Sequence, residues 1–386
     1  MHRAPDLNAV AARFLRSAQG PVASPSERLI LDLVRKAGVI ARADLTRACG
    51  LSGPGAKGLI DELVGRGMLA LGAPASKGRG QPSATVALVP SYACCVGLSV
   101  MVDGFSVTLM DFAGGLLGHR AVRSFPLKLE KVASRAKAAI ENLLLASEMQ
   151  ADAIFGIGLS MTGPFVGTGS QVNPPLSMPD DWASTELDRY FSEQLGHPVW
   201  MDNDANCAAT AEAQYGIGRT VSNFVYLHFT DGFGSGVVQD GRLLRGNHGN
   251  AGEVGRLFAL SGLPRPNLQT LRERLQAAGH DLPDLQSMLL HYDPAWPEID
   301  AWLADVRSGM TMVVAAITAL LDPEAIVLGE RLPQDLAERL RACVEFETQP
   351  RRGLGAPGPR LVLSEIGANA TGIGAAALPL KEHFFL

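Results

Sequence analysis

Three stretches of the 386-residue chain combine side chains and backbone suited to chemistry. The first is Asn203-Asp204-Ala205-Asn206, which follows the largely apolar run Pro198 to Met201. A strand that ends in Asn-Asp where a helix begins sets carboxylate and amide oxygens at a cleft edge. There Asp accepts hydrogen bonds from hydroxyls, and Asn both accepts and donates. Asp204 can equally be a helix N-cap, and the two roles can coexist. The second stretch runs from Gly246 to Arg256 and is rich in small residues, which let backbone approach a ligand closely. Within it His248 can steady the loop or touch a ligand. Arg256 can pair with a phosphate or carboxylate, or with an acidic neighbour. The third stretch, Thr230 to Gly236, holds glycines at 232, 234 and 236 and reads as a tight hairpin between two strands.

The elements around these stretches follow from hydrophobic spacing. The runs CCVGLSVMV, FSVTLMDF and LLGHRAVRSF are consecutive strands with Asp103-Gly104 and Gly114-Gly115 as turns. An alanine-rich helix over 129–149 follows, then the buried strand AIFGIGLSM, a helix over 183–195 and the strand leading to Asn203. NFVYLHF, a glycine turn and a second strand come next, then a long apolar helix over 298–321 and the strand EAIVLGE. Strands in threes followed by helices, occurring twice, predict two α/β lobes facing a cleft.

Ahead of the lobes, residues 27–37 place Leu29, Ile30, Leu33 and Val34 at helical spacing, and Gly38 can stop that helix. A short helix closes near Gly50. A third segment from Ser52 to about Gly67 carries Leu59, Ile60, Leu63 and Val64 on one face. A strand, a Gly-rich loop and a strand complete it. Three helices and a β-hairpin within about 65 residues describe a winged helix-turn-helix, whose second helix of the motif enters the major groove. Ser52 opens that helix, and Lys57 is its main cation. Arg42 and Arg47 on the preceding helix can touch phosphates, and Lys77 and Arg79 on the wing can follow the minor groove. Residues 1–90 carry 12 Lys+Arg against 6 Asp+Glu, so +6. The rest carries 22 against 33, so −11. A basic head on an acidic body predicts a polyanion partner for the head alone.

The whole chain from 27 onward resembles the ROK family, named for repressors, open reading frames and kinases. The resemblance rests on RADLTRACGLS, the GRGQP wing, GIGLSMTGP, DNDANCAATAEAQYGIGR, GRLLRGNHGNAGEVG, LLDPEAIVLGE and GANATGIGAAAL together. It implies an actin-like, ribonuclease-H-like pair of lobes with sugar between them. The expected divisions are 1–26 as an arm or extra helix, 27–90 as the winged head, 91–200 as the first lobe completed by about 370–386, and 201–369 as the second lobe. The resemblance assigns Glu253 to sugar hydroxyls and makes Asp204 the general base of the kinases. Asn203 joins Asp204 at the sugar, and Gln269 takes the place of a sugar-binding Glu. At 256 the family usually has a His that binds sugar and often a structural zinc. Here Arg stands there, and no Cys follows in LFALSGLPRPNLQTLRERL, so no zinc is expected.

Family kinases cradle phosphate in an Asp-x-Gly-Gly-Thr turn. Counting from Gly97, the matching positions are Ser99, Met101, Val102 and Asp103. The carboxylate is gone, two glycines have become bulky, and Thr has become an acid that repels polyphosphate. Asp231 adds another negative charge in the second turn. The expectation is therefore a sugar-responsive regulator, a repressor, with a kinase-inactive cleft. Its partners are operator DNA and a sugar or sugar derivative, and it works as a homodimer or higher homo-oligomer. An active ATP- and magnesium-dependent sugar kinase carrying a DNA-binding head is the alternative, with Asp204 catalytic. A regulator governed by a partner protein is another. The N-terminus lacks a secretory core, and Met310 to Leu321 is too short a run to span a bilayer, so a cytoplasmic protein is expected. The five cysteines show no metal-ligand or disulfide spacing.

Overall fold

Ser24 starts the first long helix. Its hydroxyl accepts from the Glu27 amide and the Glu27 carboxylate accepts from the Ser24 amide, a reciprocal cap that anchors α1 (Pro25–Ala37). Gly38 closes the helix with φ of 70°, a conformation costly for any other residue. The computed structural model describes residues 10–15, 22–75, 83–123, 126–167, 169–344 and 358–386. The head continues through β1 (Val39–Ala41), α2 (Arg42–Ala48), α3 (Gly53–Gly65), β2 (Leu69–Ala75) and β3 (Ser83–Leu88). Its sheet has the order β1-β3-β2, all antiparallel. This is the predicted winged helix-turn-helix, with one addition. The three-residue strand β1 is too short to show a period of two in sequence.

The first lobe holds β4 (Cys94–Met101), β5 (Gly104–Asp111), β6 (Leu116–Arg123), α4 (Leu129–Ser147), β7 (Ile154–Met161), α5 (Asp181–Ser184), α6 (Leu187–Leu195) and β8 (Val199–Asn203). The helix expected over 183–195 is therefore two pieces, and β8 carries the first sheet three residues past the boundary expected at 200. α7 (Asp204–Tyr215) then leads to the second lobe. This contains β9 (Phe224–Phe229), β10 (Phe233–Gln239), β11 (Arg242–Leu243), α8 (Arg256–Ser261), α9 (Leu268–Ala277), α10 (Leu285–Leu290), α11 (Pro297–Leu321), β12 (Ala325–Glu330), α12 (Gln334–Cys343) and β13 (Arg360–Leu363). The chain closes with α13 (Ala370–His383).

The two lobes repeat one topology. The sheets run β6-β5-β4-β7-β8 and β11-β10-β9-β12-β13, each with an antiparallel meander followed by two parallel strands. This is the actin-like, ribonuclease-H-like pair. By length and composition α11 is apolar enough to cross a membrane. In the lobe its Trp302, Val306, Met310 and Val313 are buried in the core.

Glycines set the junction between the lobes. A Cβ on Gly158 of β7 would sit 1.7 Å from the Ala375 carbonyl oxygen of α13, and one on Gly374 would sit 1.7 Å from that of Cys207 in α7. Backbone therefore packs directly on backbone where α13 lies against the first sheet and against α7. The head is seated on the far end of these helices. Arg28 of α1 donates to the carbonyls of Lys381 at 2.8 Å and Phe385 at 2.9 Å, and Arg35 donates to that of Gln214. The Arg35 guanidinium also lies over the Tyr215 and Phe385 rings. Phe14, from the stretch expected to be an arm or extra helix, is buried against Tyr92 and Phe155.

Candidate functional site: the cleft between the lobes

The cleft is built where four element ends meet. Asn203 closes β8, and its side chain accepts from the Ala205 amide at 2.9 Å while donating to the Gly163 carbonyl at 3.1 Å. Asn203 is thus the N-cap of α7. Asp204 occupies the first helical position, where its carboxylate meets the positive end of the helix dipole. Capping by the neighbour leaves one oxygen of Asp204 for His228 of β9, whose Nε2 is 3.5 Å away. The Nδ1 of His228 faces Glu330, at the end of β12, at 4.0 Å. Glu330 in turn accepts from the Thr371 amide at the start of α13 at 3.1 Å. A buried polar chain therefore runs Asp204, His228, Glu330, Thr371 across the floor of the cleft.

Charges tune one another along this chain. Burial alone would raise the Asp204 pKa, but the His228 charge and hydrogen bonds from His228, Ala205 and Thr162 bring it below the ordinary value. Burial alone would lower His228, and Asp204 reverses that, so His228 is raised. Each partner thus favours the charged form of the other, and a carboxylate at Asp204 can accept from a hydroxyl.

Two adjoining cavities open on this floor. The smaller, of about 310 Å³, is lined by Asn203, Asp204, Thr162, Glu253, Arg256 and Arg265. Of the expected sugar-contacting residues, the structure brings Asn203, Asp204, Glu253 and Arg256 together here. Burial, and next the Asp204 charge, raise the pKa of Glu253. The loop that carries Glu253 is pinned to both lobes. Asn250 bonds both backbone polar groups of Phe165, and Ser235 donates to the Gly252 carbonyl at 2.7 Å. Gly252 has φ of 90°, and a Cβ there would meet the Ser235 carbonyl at 2.5 Å.

His248 stands apart from both cavities, exposed, with its ring against the Asn247 amide. Gln269 lines the larger cavity, and its amide is engaged by Arg272 and Glu273. Sequence reasoning overlooked His228, Thr162, Arg265 and Glu330. A histidine inside the otherwise apolar FVYLHF strand was the available signal for the first.

The larger cavity, of about 690 Å³, reaches the turn where a phosphate cradle would lie. Met101 and Asp103 face Arg331 there, with Asp103 at 3.3 Å from the guanidinium and the Met101 sulfur at 3.9 Å. Burial, and next the Asp103 charge, hold the Asp231 pKa up at about 6. The Thr230 to Gly232 turn closes on itself as a tight hairpin, Thr230 donating to the Gly232 carbonyl at 3.1 Å. Met101, Asp103 and Asp231 therefore line this part of the larger cavity, with Asp103 paired to Arg331. The guanidinium of Arg256 is not a metal ligand, and among the described residues there is no group of three or more His, Cys, Asp and Glu that could hold a metal ion.

In the head, Ser52 caps α3 by accepting from the Gly55 amide, and Lys57 is exposed on its first turns. Arg42 bridges to Asp61 at 2.6 Å and to the Lys57 carbonyl, so it braces α2 against α3. Arg47 is exposed and paired with Asp44. Lys77 and Arg79 lie outside the described residues.

Fold and cleft define the class: a winged head on a two-lobed sugar-kinase-like body. The ROK family model matches residues 95–262. The protein y4fQ of Sinorhizobium fredii is 30% identical over 371 residues, covering 95% of this chain and 93% of that one. The chain belongs to the ROK family. The xylose repressor of Bacillus spizizenii is 25% identical over 386 residues, covering 93% of this chain and 95% of the repressor. The ROK hexokinase of Thermus thermophilus matches 73% of this chain and 96% of its own, with TM-score 0.55 and 26% identity. A ROK transcriptional regulator, a homologue of the E. coli Mlc protein, shares the fold over 93% of this chain and 96% of its own, with TM-score 0.66 and 20% identity.

Proposed function

We propose that this protein is a DNA-binding transcriptional regulator, a repressor, that senses a sugar or sugar derivative in a cleft without phosphorylating it. One observation carries the proposal. Both helices that begin at the cleft floor end on the head. α7 starts at Asp204 and finishes under Arg35, while α13 starts beside Thr371 and finishes under Arg28. At 1.5 Å per residue they are rods of about 18 and 21 Å. A ligand that favours one lobe arrangement over another shifts the seat of the head, because the coupling needs only a difference in affinity between the two states.

Several features support the remaining parts. Met101 and the Asp103–Arg331 pair occupy the phosphate turn, which disfavours phosphoryl transfer. Asn203, Asp204 and Glu253 converge on a cavity the size of a monosaccharide. Lys57 projects from the helix that enters the major groove in this motif. Reading two half-sites supports a homodimer or higher homo-oligomer, and a DNA target supports a cytoplasmic protein. Retention of Asp204 beside a cationic partner favours a second reading, an active sugar kinase with a DNA-binding head.

The test is fluorescence anisotropy of the full chain on an operator selected from random-sequence DNA, titrated with a sugar panel. Release of DNA by one sugar or derivative is expected. Tight DNA binding that no panel member alters would refute the sensing proposal.

A further inference from the structure

Acids and arginines are unequally satisfied in the cleft. Asp103 is paired with Arg331 at 3.3 Å, Asp204 with His228 at 3.5 Å, and Asp284 with Arg123 at 2.7 Å. Asp231 and Glu253 have no ion pair among the described residues, and burial raises the pKa of each. The arginines on the second-lobe wall make no such close pair, although Arg272 acts on Asp231 and Arg256 on Glu253 through their charges. Arg265 donates to the Gly255 carbonyl at 3.1 Å, and Arg272 spends its donors on Gln269 and the carbonyls of Leu282 and Pro283. Arg256 is exposed at the rim, where its charge acts on Glu253. Among the described residues none of the three is in an ion pair.

A guanidinium keeps its charge at any working pH. Arg256 and Arg265 both line the smaller cavity, next to the hydroxyl-recognising Asn203, Asp204 and Glu253. Arg265 lines both cavities, and Arg272 adds its charge from the larger one. Two guanidinium groups that line one cavity offer an anion placed between them two cationic partners. Carboxylate and phosphate match the planar donor fork of Arg in charge-assisted two-point contacts, which are stronger than those to neutral hydroxyls.

We infer that the ligand of this cleft is an acidic sugar derivative, whose carboxylate or phosphate group is gripped by Arg256 and Arg265 while its hydroxyls meet Asn203, Asp204 and Glu253. The inference rests on the reading of the cleft as a sugar site. Arg256 and Arg265 are then the residues that decide specificity between acidic and neutral ligands.

Calorimetric titration of the full chain tests this with matched sets over several stereoisomers: a neutral pentose or hexose, its aldonic or uronic acid, and its monophosphate. Inorganic phosphate alone serves as the anion control. One charged member should bind at least about tenfold more tightly than its neutral parent, equivalent to 1.4 kcal/mol or more. The carboxylate and phosphate arms show which group is read. Arg256→Gln at the exposed rim and Arg265→Gln should each remove most of that preference, and Arg256→Lys should restore part of it. Circular dichroism of each variant reports folding, and the exposed position of Arg256 keeps the test valid if Arg265→Gln fails to fold. Neutral sugars binding as tightly as their charged counterparts would overturn this inference while leaving sugar sensing intact. No binding by any member would overturn both. Inorganic phosphate binding as tightly as the best ligand, or a preference that survives Arg256→Gln, would overturn the inference as well.

Discussion

Arg35, on the first long helix of the head, donates a hydrogen bond to the backbone carbonyl of Gln214, in the last turn of the helix whose first residue is Asp204. Cleft and head are therefore joined through a single element. Arg28 makes the parallel connection to the end of α13.

Arg28→Ala combined with Arg35→Ala should separate sensing from response. Each removes a charged donor to a partly or fully buried carbonyl, at a cost of about 1–3 kcal/mol. The double variant should still bind operator and ligand, but the ligand should change operator affinity less than about twofold. Anisotropy with and without ligand measures this, and an undiminished response would show that the coupling runs elsewhere.

Lys57→Ala should weaken operator binding and reduce the slope of log affinity against log salt by about 1, as expected for one lost phosphate contact. Ser52→Ala acts differently. It removes a helix cap worth about 1 kcal/mol, so it should lower the melting temperature of the head. A salt slope unchanged in Lys57→Ala would place the DNA on another face.

His228 and Asp204 give stability a defined pH window. His228 is raised above its ordinary 6.5, so its contribution is full below 6.5 and lost as pH climbs through the folded value. Asp204 is lowered below 3.8, so its contribution is present above 3.8 and lost as pH falls through the folded value. The pair is therefore most stabilising between these limits. Denaturant unfolding of His228→Gln should show a loss of about 3 kcal/mol near pH 5.5, shrinking at alkaline pH. A loss independent of pH would contradict the ion pair.

Gly158→Ala should break the seat of α13. The added methyl would stand 1.7 Å from a backbone oxygen that no rotamer change can move. A loss of about 3 kcal/mol or more, or failure to fold, is expected in thermal unfolding. An unchanged melting temperature would mean that the helix is free to shift.

Much of this was legible in the sequence for physical reasons. The strands around Gly97 and Gly158 are buried on both faces and read as apolar runs, α1 shows helical spacing with Gly38 as its stop, and α11 reads as a long apolar helix. Asn203 and Asp204 stand out because polar groups end an apolar strand, whereas Glu253 is reached only through the family resemblance. What stayed hidden depends on partners distant in sequence. Nothing near Arg35 announces Gln214, which lies 179 residues away, and nothing near Asp103 announces Arg331, 228 residues away. Gln269 looked available for ligand, yet its amide is held by residues three and four positions along the same helix. A chain of local polar residues cannot reveal which of its members are already satisfied.

The most direct test of a cleft that senses without transferring phosphate is incubation of the full chain with γ-labelled ATP, magnesium and the sugar panel, with Asp204→Asn in parallel. No labelled sugar above the level given by the variant is the expected result. Turnover by the native chain that vanishes in Asp204→Asn would contradict it.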